Sequence, residues 1–511
     1  MQSMNISRVV SGIRGRLAGW CGAVAGDRLS LFSVIWSVTS LMHVVSFFHY
    51  WRTLFGSAFY VYPIVLAAGA VLAWPRRTGL FLVLLFCTVL KTVAFLPMQA
   101  NHIVFEMIVS AGTLAALLAV VGAHRISLSA LFSDRDGAGR EMLLEAFSPA
   151  VRAALLILYG YAVLHKLNYD FFNPEISCST FLLDGIQNRL SWVPNGGWVR
   201  TTGAIWGTLL IEALIPLLLA FRRTRGAGIV LGLAFHYFLA LHPHRGLYSF
   251  SSLMYALYFL FLPAGFLRNL AHTARRVSGL PWRQVPFAWR ALLVSFPLAA
   301  GAVVALTMHL YPLLDADRWL RFGFLGWNAW ALVFSYFYLA VLTNPLREAQ
   351  TSVRIPAAAR YGHRLAWLVP LAVLLNGTTP YLGLKTQISF SMFSNLRTEG
   401  GVSNHFFLPS TIRLTEMQED LVEIFDSDAP EFRQYMEAEQ LITLFEFRRI
   451  ASQVKQQKDF VVNFKHQGAM CNLVVQRGEG NLPGYTQPHP WWMAKVVRFR
   501  PVDKGACRCK H

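Results

Sequence analysis

Apolar residues in this chain run in blocks of about 20, set apart by short basic or Pro- and Gly-rich stretches. A helix needs about 20 mostly apolar residues to cross about 30 Å of hydrocarbon. That length predicts spans near 30–50, 57–73, 79–97, 102–122, 149–167, 203–221, 226–243, 247–263, 287–311, 326–343 and 364–384. The second and eighth are short. The stretch after Arg14 and Arg16 is too weakly apolar for a cleavable signal, so the first long run reads as a retained signal anchor.

Beyond about Lys385 the pattern changes, and charges of both signs mix with shorter apolar stretches. Helical patterning runs from Pro430 to about Gln457, with Asp428 as the expected N-cap. Phe460–Phe464, Cys471–Val475 and Ala494–Phe499 read as strands between Gly and Pro signals. The expected fold is an all-α polytopic membrane bundle of about 10–11 transmembrane helices with a small extracytoplasmic C-terminal α+β domain. The parts are a cytoplasmic segment 1–28, a membrane domain 29–384 and the outer domain 385–511.

Composition agrees with the pattern. Of 511 residues 55% are hydrophobic and only 14% charged, about half the charged share of an ordinary soluble chain. A disordered protein, a coiled coil and a typical cytosolic enzyme are excluded. The formal charge of +19 would suggest nucleic acid in a soluble protein, but the basic residues sit in loops between the apolar runs. No nucleic-acid partner is expected; the lipid bilayer is. Loops carrying Arg76, Arg77, Arg125, Arg222, Arg223, Arg225, Arg275 and Arg276 alternate with loops that carry few basic residues. The bias is about 20 to about 6 and places the basic set, with the N-terminus, in the cytoplasm. The C-terminal segment then lies outside, as in a multi-pass protein of the bacterial inner (plasma) membrane.

Ionisable residues within spans are costly and mark function by default. Here they gather toward the outer leaflet: Lys91, then Asn101, His102 and Glu106 at the start of the fourth span, His165 and Lys166 at the end of the fifth, Glu212, His236, His43 and His309. This segregation points to a polar cavity opening outward. Each residue also has a plainer reading. Lys166 could snorkel to headgroups, and His102 could cap its helix. Glu212 could bond between helices, His236 could be a core histidine, and Lys91 could neutralise Glu106. Gly228 and Gly232 form a small-xxx-small pair suited to close helix packing. Cys178, Cys471, Cys507 and Cys509 share the outer compartment, where disulfides are permitted with connectivity open. The tail Cys507–Arg508–Cys509–Lys510–His511 reads as a disulfide partner or flexible end, and no metal site is expected.

Several stretches carry a resemblance in order along the chain. They are Asn101-His102, Tyr161-Ala162-Val163-Leu164-His165-Lys166-Leu167 with Asp170, Ile211-Glu212-Ala213-Leu214-Ile215-Pro216 with Arg222 and Arg223, Phe235-His236, and Ser389-Phe390-Ser391-Met392. From about residue 25 to 265 the chain resembles the HTTM superfamily, the horizontally transferred transmembrane domain that includes the vitamin K-dependent gamma-glutamyl carboxylases. The resemblance implies that Lys166 is a catalytic base on a reduced quinone, assisted by His102, with Asn101, Glu212 and His236 shaping the quinone pocket. It implies hydroquinone oxidation or epoxidation coupled to carboxylation of an extracytoplasmic protein substrate. Two features depart from the family: His165 stands where the carboxylase has a second lysine, and the lumenal region is much longer there. An amine accepts a proton only when neutral, which a low-dielectric boundary favours, and nearby Asn and His groups can stabilise an oxyanion. The alternative is a non-catalytic membrane scaffold or a lipid- or quinone-binding partner protein.

Overall fold

Apolar blocks this long fold as helices because an intrasegment ladder satisfies every backbone group without water. The computed structural model describes residues 27–47, 60–124, 127–133, 138–194, 196–310, 318–344, 363–409, 412 and 414–509. The segment 1–28 expected in the cytoplasm falls almost wholly outside these residues, as do Cys21, Lys510, His511 and the loop arginines Arg347, Arg354 and Arg360. Helices occupy all eleven expected apolar segments. They are α1 Arg28–Ser46, α2 Tyr62–Ala73, α3 Thr78–Phe95, α4 Asn101–Ala123 and α5 Ala138–Leu164. The others are α7 Gly207–Ala220, α8 Arg225–Ala240, α9 Arg245–Tyr258, α11 Phe287–Leu310, α12 Arg318–Leu342 and α13 Leu368–Thr378, and two further helices lie outside the expected segments, α6 Cys178–Gln187 and α10 Phe266–Ser278. Among the described residues, six helices are long and apolar enough to cross a membrane, or seven if the bent α9–α10 pair counts as one. The expected fifth span begins earlier, at Ala138, and tolerates Pro149 within the helix.

Contacts divide the chain into two units, one of Met1–Lys91, Glu106–Leu156 and Ile215–Leu371, the other of Thr92–Phe105, Ile157–Leu214 and Ala372–His511. In the first unit α1 is enclosed by α2, α9 and α12, and Phe32, Ile35 and Trp36 are almost wholly buried. Its N-terminus is fixed by Asp27, whose carboxylate accepts from Ser30 N at 2.7 Å and from Arg140 Nε at 3.0 Å. The two small residues of α8 serve packing, as expected. A Cβ on Gly228 would lie 2.9 Å from the Leu219 backbone nitrogen, and one on Gly232 would overlap the Tyr258 ring.

In the second unit the C-terminal part holds a six-stranded antiparallel sheet in the order β5-β4-β3-β1-β2-β6. Its strands are β1 Leu421–Ser427, β2 Gln440–Thr443, β3 Phe460–His466, β4 Ala469–Gln476, β5 Glu479–Gly480 and β6 Val502–Asp503. Phe460, Val462 and Phe464 alternate inward along β3 and meet Phe432, Phe447 and Ile450 in one core. The single helix expected over 430–457 is instead two, α14 Pro430–Glu437 and α15 Leu444–Val454, with β2 between them. Glu439 makes the break by taking φ 53°, a left-handed turn that the sequence does not mark with glycine. Asp428 is not the cap: Ala429 holds that position, while the Asp428 carboxylate accepts from Val461 N at 2.8 Å. The strand expected over 494–499 does not form: a short helix, Trp491–Val496, preceded by Pro490 as its N-cap, covers its start, and irregular backbone follows over 497–499.

Candidate functional site

Lys166 and Glu212 form a buried ion pair in the second unit. Helix α5 stops at Leu164, and Lys166 lies in the tighter turn beyond it, its backbone nitrogen bonded to Val163 O at 3.0 Å. Its Nζ donates to Ala162 O at 3.1 Å and stands 2.8 Å from Glu212 Oε2. The side chains are only 6% and 11% exposed, so each charge relies on the other and not on water. A π-helical turn, Val199–Trp206, runs directly into α7, the helix that carries Glu212; such wide turns often occur at functional sites. One ring lies beside the pair. The Phe171 ring centroid is 6.0 Å from the ammonium, and Phe172 packs against Trp206 and Phe406 at 4.8 and 5.2 Å.

His165 is fully buried, with Nε2 3.1 Å from Gly377 O and its ring between Tyr161 and Tyr381. Tyr381 in turn meets His405. His405 Nε2 lies 3.0 Å from Leu164 O, while its Nδ1 accepts from Phe407 N and Leu408 N at 3.1 and 3.2 Å. Donor on one side and acceptor on the other define a neutral ring, and burial lowers the affinity of His405 for a second proton.

Asn101 begins α4 and accepts a 2.7 Å hydrogen bond from Phe390 N through Oδ1. Phe390 belongs to an irregular, buried segment in which Ile388, Phe390, Phe393 and Asn395 have φ of 52°, 64°, 53° and 53°. Left-handed backbone at a residue other than glycine costs about 1–3 kcal/mol, so many bonds must hold the loop. Asn376 Nδ2 donates to Ile388 O at 2.8 Å, and the Asn395 amide bonds Cys178 N, Ile176 O and Cys507 O at 2.7–2.9 Å. Arg500 grips Leu396 O and pairs with Glu399 at 3.7 Å. Asn168, two residues after Lys166, donates to Ser394 O at 2.7 Å, and His165 interacts with the Phe390 backbone. One strained loop therefore joins Asn101 to the His165–Lys166 turn. His102 is buried beside Asn101. A disulfide closes the same region by linking Cys178 to Cys509, with Cα atoms 4.7 Å apart.

His236 belongs to the first unit, where its ring packs with Phe235, Phe250 and Tyr258 and its carbonyl accepts from Ser251 at 2.8 Å. That unit also holds Glu106. Lys91 acts on the Glu106 charge, as expected, but the carboxylate is shared with His43 Nδ1 at 2.7 Å and Ser40 Oγ at 3.2 Å. His43 Nε2 faces Ser249 O at 3.1 Å, giving the ring an acceptor on each side. Ser40 and His43 lie one turn apart on α1, a spacing visible in the sequence once Glu106 is known to be their partner. His405, Asn168 and Asn395 carried no such signal, because they lie in loops without periodicity. Among the described residues no cluster of three or more His, Cys, Asp or Glu side chains is arranged to hold a metal.

What this arrangement can do chemically is exchange a proton within the Lys166–Glu212 pair. No family profile, no curated protein and no solved structure matches the chain.

Proposed function

We propose that this chain is a multi-pass membrane protein, HTTM-like, with a cytoplasmic N-terminus and an extracytoplasmic C-terminal domain in a bacterial inner membrane. It takes a reduced quinone from the bilayer and removes a hydroxyl proton with the Lys166–Glu212 pair. The observation that carries this reading is the pair itself, a buried amine and carboxylate 2.8 Å apart with the Phe171 ring 6.0 Å from the amine. The two groups act as one base. Passing the ammonium proton to the Glu212 carboxylate leaves a neutral Lys166 amine; that amine takes the hydroxyl proton of the hydroquinone, leaving a lysine ammonium, a neutral glutamic acid and a quinol oxyanion next to the positive charge. Lys166 is the base in this account and Glu212 its partner. Asn101 and His102 supply polarity nearby, and His236 supports the packing of its own unit. Oxygen is the co-reactant, and carbon dioxide with an extracytoplasmic protein substrate would complete a carboxylation.

A second reading is a non-catalytic scaffold, favoured by one observation: Lys166 also bonds Ala162 O, so the pair satisfies itself without a ligand. Purified protein given a panel of reduced quinones and oxygen, with and without carbon dioxide, separates the two. A positioned base contributes about 10²–10⁴-fold in rate, so Lys166→Ala should lose that factor, and Lys166→Arg should fail too because a guanidinium stays protonated. If no quinone is bound or consumed, the scaffold reading stands. Reporters fused at Arg225 and at the C-terminus test the topology, and a cytoplasmic signal from the C-terminal fusion would reverse it.

A further inference from the structure

We propose that α10 is an interfacial helix that binds the headgroups of anionic phospholipids. The proposal rests on the membrane reading above and not on the enzymatic one. Helix α10 turns away from the α9 segment, Arg245–Phe261, by 87°. Gly265 makes the turn with φ 81°, a conformation that favours glycine. If α9 runs across the bilayer, α10 must lie close to the plane of its surface. The faces of α10 are sharply divided. Phe266 and Thr273 are buried, Phe266 against Phe259 and Phe337, and Thr273 donates to Asn344 Oδ1 at 2.8 Å, which pins that face to the end of α12. Arg268, Arg275 and Arg276 lie on the opposite face and are exposed.

Nothing in the neighbouring sequence balances these cations. Between Glu212 and Asp315 the chain contains no Asp or Glu, so counter-charge for this face must come from outside the segment. Immediately after α10 stand Trp282, 52% exposed, and Phe287, 78% exposed, which begins the next apolar helix. Aromatic residues in that position mark the headgroup level of a membrane. Three exposed arginines at that level, with an aromatic anchor beside them, match a layer of phosphodiester charge.

The test uses the full chain reconstituted in vesicles of equimolar phosphatidylglycerol and phosphatidylcholine, extracted in mild detergent, with retained lipid quantified by mass spectrometry. Wild type should retain phosphatidylglycerol in clear excess. Each arginine is worth about fivefold, so the triple variant Arg268→Gln, Arg275→Gln, Arg276→Gln should fall toward the vesicle ratio. The triple Arg→Lys variant should keep most of the excess, which separates lost charge from lost folding. Equal retention of the two lipids by wild type, or an excess unchanged in the Gln variant, overturns the proposal. Displacement of the lipid by inorganic phosphate at matched ionic strength would also overturn it, by showing a simple phosphate site. Alkaline carbonate extraction distinguishes the underlying reading: release of the protein defeats the membrane assignment, whereas retention without lipid preference defeats only this one.

Discussion

Breaking the Lys166–Glu212 pair from either side should have unequal consequences, and the inequality can be worked from the geometry. Glu212→Gln keeps the shape of the side chain but leaves a buried ammonium with Ala162 O and the Phe171 ring as its remaining neighbours. Removing one partner of a buried pair costs about 3–5 kcal/mol, because the other charge is left uncompensated. Lys166→Met leaves a carboxyl that can escape by taking up a proton, so its cost should be smaller. The double variant, Lys166→Met with Glu212→Gln, buries no net charge and should be less damaged than the two single effects together by about 3 kcal/mol. The assay is equilibrium unfolding of detergent-solubilised protein, followed by tryptophan fluorescence, for wild type and the three variants. Additivity within about 0.5 kcal/mol would show the two side chains uncoupled, the opposite of what a 2.8 Å contact nearly sealed from water requires.

Other outcomes follow from separate features. Burial lowers the Lys385 ammonium from its ordinary value of 10.5 to about 8; between these two values the unfolded chain keeps a proton that the folded protein has released. Stability should therefore rise with pH through that window, by about 3 kcal/mol in all, and Lys385→Met should flatten the rise in a pH series of melts. A non-reduced peptide map should join Cys178 to Cys509 and leave Cys471 and Cys507 open to alkylation after denaturation; a bridge containing Cys507 would contradict the structure. Gly232→Ala places a methyl group on the buried Tyr258 ring and should cost about 1–3 kcal/mol in thermal unfolding, where a neutral result would show that the α8–α9 approach is looser than described.

The apolar blocks alone determined that helices form and where, because length and hydropathy decide whether a segment can satisfy its backbone without water. They also singled out Lys166 and Glu212, since charges inside such blocks are costly wherever they fall. That the two are partners, 2.8 Å apart, was decided only by tertiary structure: they are separated by the α6 segment and a π-helical turn, and no local period connects them. The same holds for Glu106, where Lys91 was legible as a neighbour but His43 and Ser40 arrive from a distant helix. The C-terminal part shows the limit from the other side. Gly and Pro signals around short apolar runs revealed β3 and β4, but the turn at Glu439 and the loop from Ile388 to Asn395 use left-handed backbone at residues that do not favour it. Bonds from far along the chain, such as those of Asn101 and Arg500, help hold the loop there, and energy supplied by distant partners leaves no mark on the local sequence.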